Sequence, residues 1–302
     1  MESAVYKRQV ALLLNILPEV AKESCFALHG GTAINLFVRE MPRLSVDIDL
    51  TYVPIEDREV SLGNIAKALE RIKTKLEKII PNIQISHKEG IGKLLISVNG
   101  VNVKLEVNQV IRGVLGEPVK IALCDKAQAE YGTFCTINSV PMGQLFGGKI
   151  CAALDRQHPR DIFDVKYLLE KEGFSEQVKT GFLFCLLSSD RPINELLFPN
   201  FLDQRKAMEN QFTGMSAEIF SYSDYEEIRI RLVKTIHENL TNADKQFLLS
   251  IKSLMPDWNI YNFEQYPSIR WKLQNLKNLK DKNPKKHSEL YKYLAEKLNI
   301  NE

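Results

Sequence analysis

The hydrophobic period of this chain changes near residue 140, and no other feature restricts its fold as much. Upstream, runs at 82–87, 93–98 and 101–107 read as strands, the last of them alternating apolar with polar residues. Asn99-Gly100 joins the last two and favours a tight hairpin, because both residues tolerate the positive φ that such a turn needs. Downstream, apolar residues recur at helical spacing over 141–155, 160–171 and 176–188, and helices are expected on to the C-terminus. Strands followed by a run of helices point to an α+β fold. The expected division is a lobe of mixed sheet flanked by helices over 1–139 and a helical lobe over 140–302. No linker rich in Pro, Gly or Ser separates them, so the lobes are predicted to pack together. A chain of 302 residues has enough material for both.

Within the first part, residues 4–22 and 61–79 read as helices. Ile65, Leu69, Ile72 and Leu76 form the apolar stripe of the second. Residues 25–28 are a short apolar run that ends at Gly30-Gly31, a strand entering a tight turn. Residues 32–39 have helical character and Pro42 ends them, after which 46–53 alternates as a strand. Runs at 119–123 and 133–137 are candidates for further strands. The apolar patch at the N-terminus carries Lys7, Arg8, Glu19 and Lys22, which suits an amphipathic helix rather than a signal peptide. No apolar run approaches the roughly 20 residues of a membrane span, so no membrane partner is expected. The five cysteines are odd in number and lack CxxC spacing, which reads as free thiols in a reducing cytoplasm. Their distance in sequence from the histidines argues against zinc. A net charge of +2 identifies no partner by itself.

The informative stretch is LHGGTAINLFVREMPRLSVDIDL, residues 28–50. On a strand, Val46, Ile48 and Leu50 face one way and Asp47 and Asp49 the other. Aspartate is disfavoured in strands, and two like charges at this spacing repel. A divalent cation resolves the repulsion. Mg²⁺, with Mn²⁺ as an alternative, suits hard carboxylate oxygens and keeps waters that a phosphate can replace. Just upstream, Gly30 and Gly31 allow a backbone to approach phosphate, the helix start offers free N–H groups, and Thr32 offers a hydroxyl. In VNVKLEVN (101–108), Glu106 lies on the polar face, and it completes a metal-binding trio with Asp47 and Asp49 if the two strands are neighbours. Each piece alone has an ordinary reading: a solvated edge strand, a turn, an exposed glutamate. The order strand–GGT–helix–loop–SxDxDL is far more specific than its parts. His29 reads as a packed or hydrogen-bonded structural residue.

These residues resemble the nucleotidyltransferase superfamily, whose signature is a GG(S/T) turn followed by DxD. The chain is similar more closely to the AbiEii/AbiGii toxin family of abortive-infection and toxin–antitoxin systems. The resemblance rests on HGGTAINL (29–36), RLSVDIDL (43–50), KLEVN (104–108), GGKICAALDR (147–156) and PRDIFDVKYLL (159–169). It implies a polymerase-β-like catalytic lobe, NTP as the donor and Mg²⁺ as the cofactor. It implies Asp47 and Asp49 as metal-binding acids, Ser45 as the serine before them, and Gly30, Gly31 and Thr32 as the nucleotide-binding turn. Lys149 corresponds to a nucleotide-contacting lysine and Asp161 to the acid of the last motif, and Arg160 is counted with the nucleotide-binding groups. Without the resemblance, Lys149 reads as an exposed helix lysine, and Asp161 and Asp164 as charges compensating the dipole of a helix that Pro159 can start. GQLFGGK (143–149) fits GxxxxGK, but Ile150 stands where a P-loop needs Ser or Thr.

The expected chemistry is transfer of NMP from NTP to an acceptor hydroxyl, with Glu106 binding a second metal or acting as base. Some members of the family act on the acceptor end of tRNA and are paired with an antitoxin, which implies both partners here. Residues 268–297 hold nine Lys or Arg against three acids, with Trp271, Tyr291 and Tyr293 interspersed. That pattern suits either an RNA-gripping surface or a solvated helix face with its aromatics in the core. Two other readings stand beside tRNA transfer: an acceptor that is a protein or a small molecule, and a non-catalytic module that binds RNA or an antitoxin.

Overall fold

The computed structural model describes residues 2–300. The elements begin α1 (Glu2–Val20), β1 (Phe26–His29), α2 (Gly30–Thr32), which runs into a π-helical turn (Ala33–Val38), then β2 (Asp47–Tyr52) and α3 (Arg58–Ile79). They continue β3 (Gln84–Lys88), β4 (Lys93–Val98), β5 (Val101–Arg112), β6 (Val119–Ala122), α4 (Asp125–Tyr131) and β7 (Thr136–Ser139). Among the described residues only helices follow: α5 (Met142–Asp155), α6 (Pro159–Lys171), α7 (Glu176–Ser188), α8 (Ile193–Leu197), α9 (Arg205–Gln211), α10 (Tyr222–Asn239), α11 (Asn242–Ser253), α12 (Pro267–Lys282) and α13 (Pro284–Lys297). This is the α+β class expected. With seven residues, α4 is too short to announce itself by periodicity.

The seven strands form one sheet in the order β3-β4-β5-β2-β1-β7-β6. β2 runs parallel to β5 and β1 parallel to β7, while the other neighbours are antiparallel. Asn99 and Gly100 both take positive φ, 49° and 78°, and close the β4–β5 hairpin. Ile48, Leu50, Leu105 and Val107 are buried in the core, and α1 packs on β5 and β7 while α3 packs on β3 and β4.

The glycines of GQLFGGK serve helix packing. They lie within α5, which crosses α7 in backbone contact. A Cβ on Gly143 would fall 2.3 Å from the Gln177 carbonyl oxygen, and one on Gly147 would fall 2.2 Å from the Gly181 carbonyl carbon. Side chains there would hold the helices apart. The segment is helical throughout, so it offers no phosphate loop.

Candidate active site

Strand register brings the expected acids together. Asp49 pairs with His29 on β1 and with Glu106 on β5, so the three share one rung and one face of the sheet. Asp47 pairs with Lys104 on the next rung of that face. The neighbouring of β2 and β5 that the three-acid reading required is present.

The glycine turn is pressed against this strand. Gly30 has φ 75°, in the left-handed region, and a Cβ there would lie 2.7 Å from Asp49 Oδ2. A Cβ on Gly31 would lie 2.8 Å from an Arg43 guanidinium nitrogen and 2.9 Å from Ser45 Oγ. The Thr32 hydroxyl, fully buried, donates to the Asp47 carbonyl at 2.5 Å and lies 3.1 Å from Ser45 Oγ. Thr32 and Ser45 therefore fasten the turn to the Asp47 strand, and the free hydroxyl expected of Thr32 is engaged within the protein.

The three acids differ in their partners. Among the described residues neither the Asp47 nor the Asp49 carboxylate has an ion-pair or hydrogen-bond partner. Burial raises the Asp47 pKa, with Lys104 opposing and Asp49 adding to the rise. Glu106 is held by Lys93 and Lys104, each at 3.2 Å. Burial pushes its carboxyl up, but the two lysines outweigh that and leave it below its ordinary value. Among the described residues no three His, Cys, Asp or Glu side chains converge to hold a metal ion. The three expected acids therefore sit on neighbouring rungs, two aspartates without a protein cation beside a glutamate bound by lysines of β4 and β5. Burial lowers the pKa of His29, with Asp49 opposing, and its Nδ1 lies 3.0 Å from Thr51 Oγ1.

A buried ionic network joins the turn to the helices beyond β7. Asp164 accepts from Arg43 Nε at 2.7 Å and Nη2 at 2.5 Å, from Asn35 at 2.9 Å, and pairs with Lys149 Nζ at 2.9 Å. Lys149 Nζ donates to Asp161 at 2.7 Å, and Arg156 reaches the same carboxylate through Nε at 2.5 Å and Nη2 at 3.0 Å. Asn35 also donates to the Gly31 carbonyl at 2.9 Å. Burial opposes ionisation of Asp161 and Asp164, but Lys149 and Arg156 hold Asp161 far below the ordinary carboxylate range, and Arg43 and Lys149 hold Asp164 below it. His158, not Asp161, caps α6, accepting from the Arg160 N–H at 3.1 Å.

Lys149, for which the resemblance implies a nucleotide contact, is 4% exposed at its side chain and shared between two carboxylates. Arg160 has no ion pair or side-chain hydrogen bond among the described residues and lies close enough to Asp47 to feel its charge. Asn35, Arg43 and Arg156 were not singled out by the sequence reading. The signal available for Asn35 was a polar side chain on an otherwise apolar helical face, four residues after Gly31.

A cavity of about 320 Å³ is lined by His29, Gly30, Gly31, Asp49, Lys149 and Arg156 among others. That volume falls at the lower end of small-ligand sites. A polar groove of about 410 Å³ adjoins it, with Lys104, Glu106, Gln109 and Arg156 on its walls. Elsewhere, Lys272 of the basic tail is buried, donating to the Arg191 carbonyl at 2.6 Å, while Trp271 and Tyr293 are exposed. The five cysteines are free thiols. Among the described residues no helix is long and apolar enough to cross a membrane.

The fold is that of a nucleotidyltransferase. MenT4, a nucleotidyltransferase toxin from Mycobacterium tuberculosis H37Rv, aligns with a TM-score of 0.65 over 91% of this chain and 94% of its own, at 10% identity. The chain belongs to the family described as "Nucleotidyl transferase AbiEii toxin, Type IV TA system", which matches residues 11–275. Membership makes it a nucleotidyltransferase toxin of a type IV toxin–antitoxin system. A comparison with curated protein sequences gives no match.

Proposed function

We propose that this toxin transfers a nucleoside monophosphate from an NTP to an acceptor hydroxyl, the 3′ end of tRNA, and releases pyrophosphate. The observation that carries this reading is the pair of unpartnered carboxylates, Asp47 and Asp49, beside a diglycine turn with no room for a Cβ.

Two carboxylates left without a protein cation suit Mg²⁺ or Mn²⁺, so Asp47 and Asp49 are the residues that would hold it. Bound there, the ion would neutralise phosphate charge and favour departure of pyrophosphate. The chain's own groups do the rest. Gly30 and Gly31 let phosphate approach the backbone, and the cavity receives the nucleotide. Arg160 supplies positive charge near Asp47. Glu106, kept ionised by its lysines, accepts a hydrogen bond from the acceptor hydroxyl in the adjoining groove. Catalysis is then chiefly positioning and charge neutralisation. The exposed basic residues of α12 and α13, with Trp271 and Tyr293, favour an RNA acceptor over a small molecule. The family implies a cognate antitoxin as the other partner.

The test is incubation with each α-labelled NTP, Mg²⁺, total RNA and protein, followed by mapping of the labelled species. Label at the 3′ end of tRNA is expected, lost with Asp49→Ala in a protein that stays folded. Label confined to protein would reassign the acceptor, and undiminished transfer by Asp49→Ala would remove the site.

A further inference from the structure

The buried network contains three cations, Arg43, Lys149 and Arg156, and two anions, Asp161 and Asp164. Its surplus positive charge has a definite address. The side chains of Arg43 and Lys149 are 3% and 4% exposed, whereas that of Arg156 is 62% exposed. Asp161 holds Arg156 through Nε and Nη2, and a guanidinium has five donors, so the remaining ones are free. Among the described residues His29, Asp49, Asn108 and Arg156 line both the cavity and the adjoining groove. Of these four only Arg156 carries a permanent positive charge, on its guanidinium.

We infer that Arg156 is the catalytic guanidinium for the transferred phosphoryl group, contacting the α-phosphate where cavity and groove meet. The inference rests on the transfer reading above. In the step, the acceptor oxygen bonds to the α-phosphorus while the bond from that phosphorus to the pyrophosphate oxygen breaks. The electron pair leaves with pyrophosphate, and the hydroxyl proton passes to Glu106, which accepts its hydrogen bond, and from there to water. Negative charge on the α-phosphoryl oxygens faces the free donors of Arg156, a fork geometry that a lysine does not reproduce. Asp161 sets the angle of that fork, and Lys149 keeps Asp161 ionised.

The experiment compares Arg156→Ala and Arg156→Lys with the wild type in single-turnover transfer and in NTP binding without acceptor. Arg156→Ala is expected to lower the transfer rate by about 10²- to 10³-fold, the loss typical of removing a donor to a developing oxyanion. NTP affinity is expected to change far less, and millimolar guanidinium should restore part of the rate in Arg156→Ala. Arg156→Lys should fall between the two. A rate loss without guanidinium rescue, equal in both variants and accompanied by a lower melting temperature, would overturn the inference in favour of a structural role for Arg156. An unchanged rate would overturn it directly. A wild type that transfers no label to any acceptor would remove the transfer reading, and this inference with it.

Discussion

Gly30 and Asp49 stand so close that a Cβ on the glycine would meet the aspartate Oδ2 at 2.7 Å. Gly30 also has φ 75°, where an alanine is strained by roughly 1–2 kcal/mol. Gly30→Ala is therefore expected to cost stability modestly and to cost transfer by at least about 100-fold, by pushing the Asp49 carboxylate aside. Gly63, in the interior of α3 with nothing within 4 Å of its would-be Cβ, is the control. Gly63→Ala should be neutral or stabilise by up to about 1 kcal/mol. Urea melts and labelled-NTP transfer on both variants check the contrast.

Lys149 touches both Asp161 and Asp164 inside the protein. Removing one member of a buried ion pair costs about 3–5 kcal/mol, because the partner charge stays buried. Lys149→Met should lower the free energy of unfolding, read from urea melts, by an amount in that range, and lose activity at least in proportion to the fraction unfolded at the assay temperature. A Lys149→Met protein as stable as wild type would show that the buried pairs with Asp161 and Asp164 do not hold the fold.

What the sequence made legible was local. The two-residue period of a strand put Asp47 and Asp49 on one face, and Asn99-Gly100 announced its hairpin. The long-range part was hidden. Asn35 reaches Asp164 across 129 positions and Arg43 reaches it across 121. A polar residue closed over by a distant helix looks, in sequence, like one on the surface. Lys149 fits a helix face in either case, and only α6 folding back over α5 with two aspartates buries it. Glu106 shows the same limit in reverse, since its register beside Asp49 came true while Lys93, on another strand, took its carboxylate.

The ionic network also sets a pH dependence. Asp161 has a folded pKa far below the ordinary 3.8, and Asp164 has one below it. Their contribution to stability is present above the unfolded value and is lost as the pH falls from about 4 toward the folded values, because the unfolded chain then binds protons that the folded one refuses. The urea midpoint should fall steeply below pH 4. Asp164→Asn should be less stable at neutral pH and show a shallower acid limb. An acid limb identical to wild type would show that Asp164 does not carry the charge assigned to it.

The adjacent glycines of α5 give opposite predictions from one helix. A methyl on Gly147 would lie 2.2 to 2.5 Å from the backbone of Gly181 and Phe182 on α7, atoms that cannot move aside independently. A methyl on Gly148 would meet Cys185 Sγ at 3.7 Å, ordinary contact. Helix propensity favours alanine over glycine by about 1 kcal/mol at either position. At Gly148 that term is nearly unopposed, so Gly148→Ala should match or exceed the wild type in melting temperature, whatever it does to the cavity it lines. At Gly147 overpacking of about 1–3 kcal/mol or more outweighs it, because the two helices must separate. Separation moves the segment carrying Lys149 and leading to Arg156, so Gly147→Ala should lose transfer as well as stability. Thermal melts of the two variants side by side decide the matter: equal effects at 147 and 148 would mean that the helices do not cross in backbone contact.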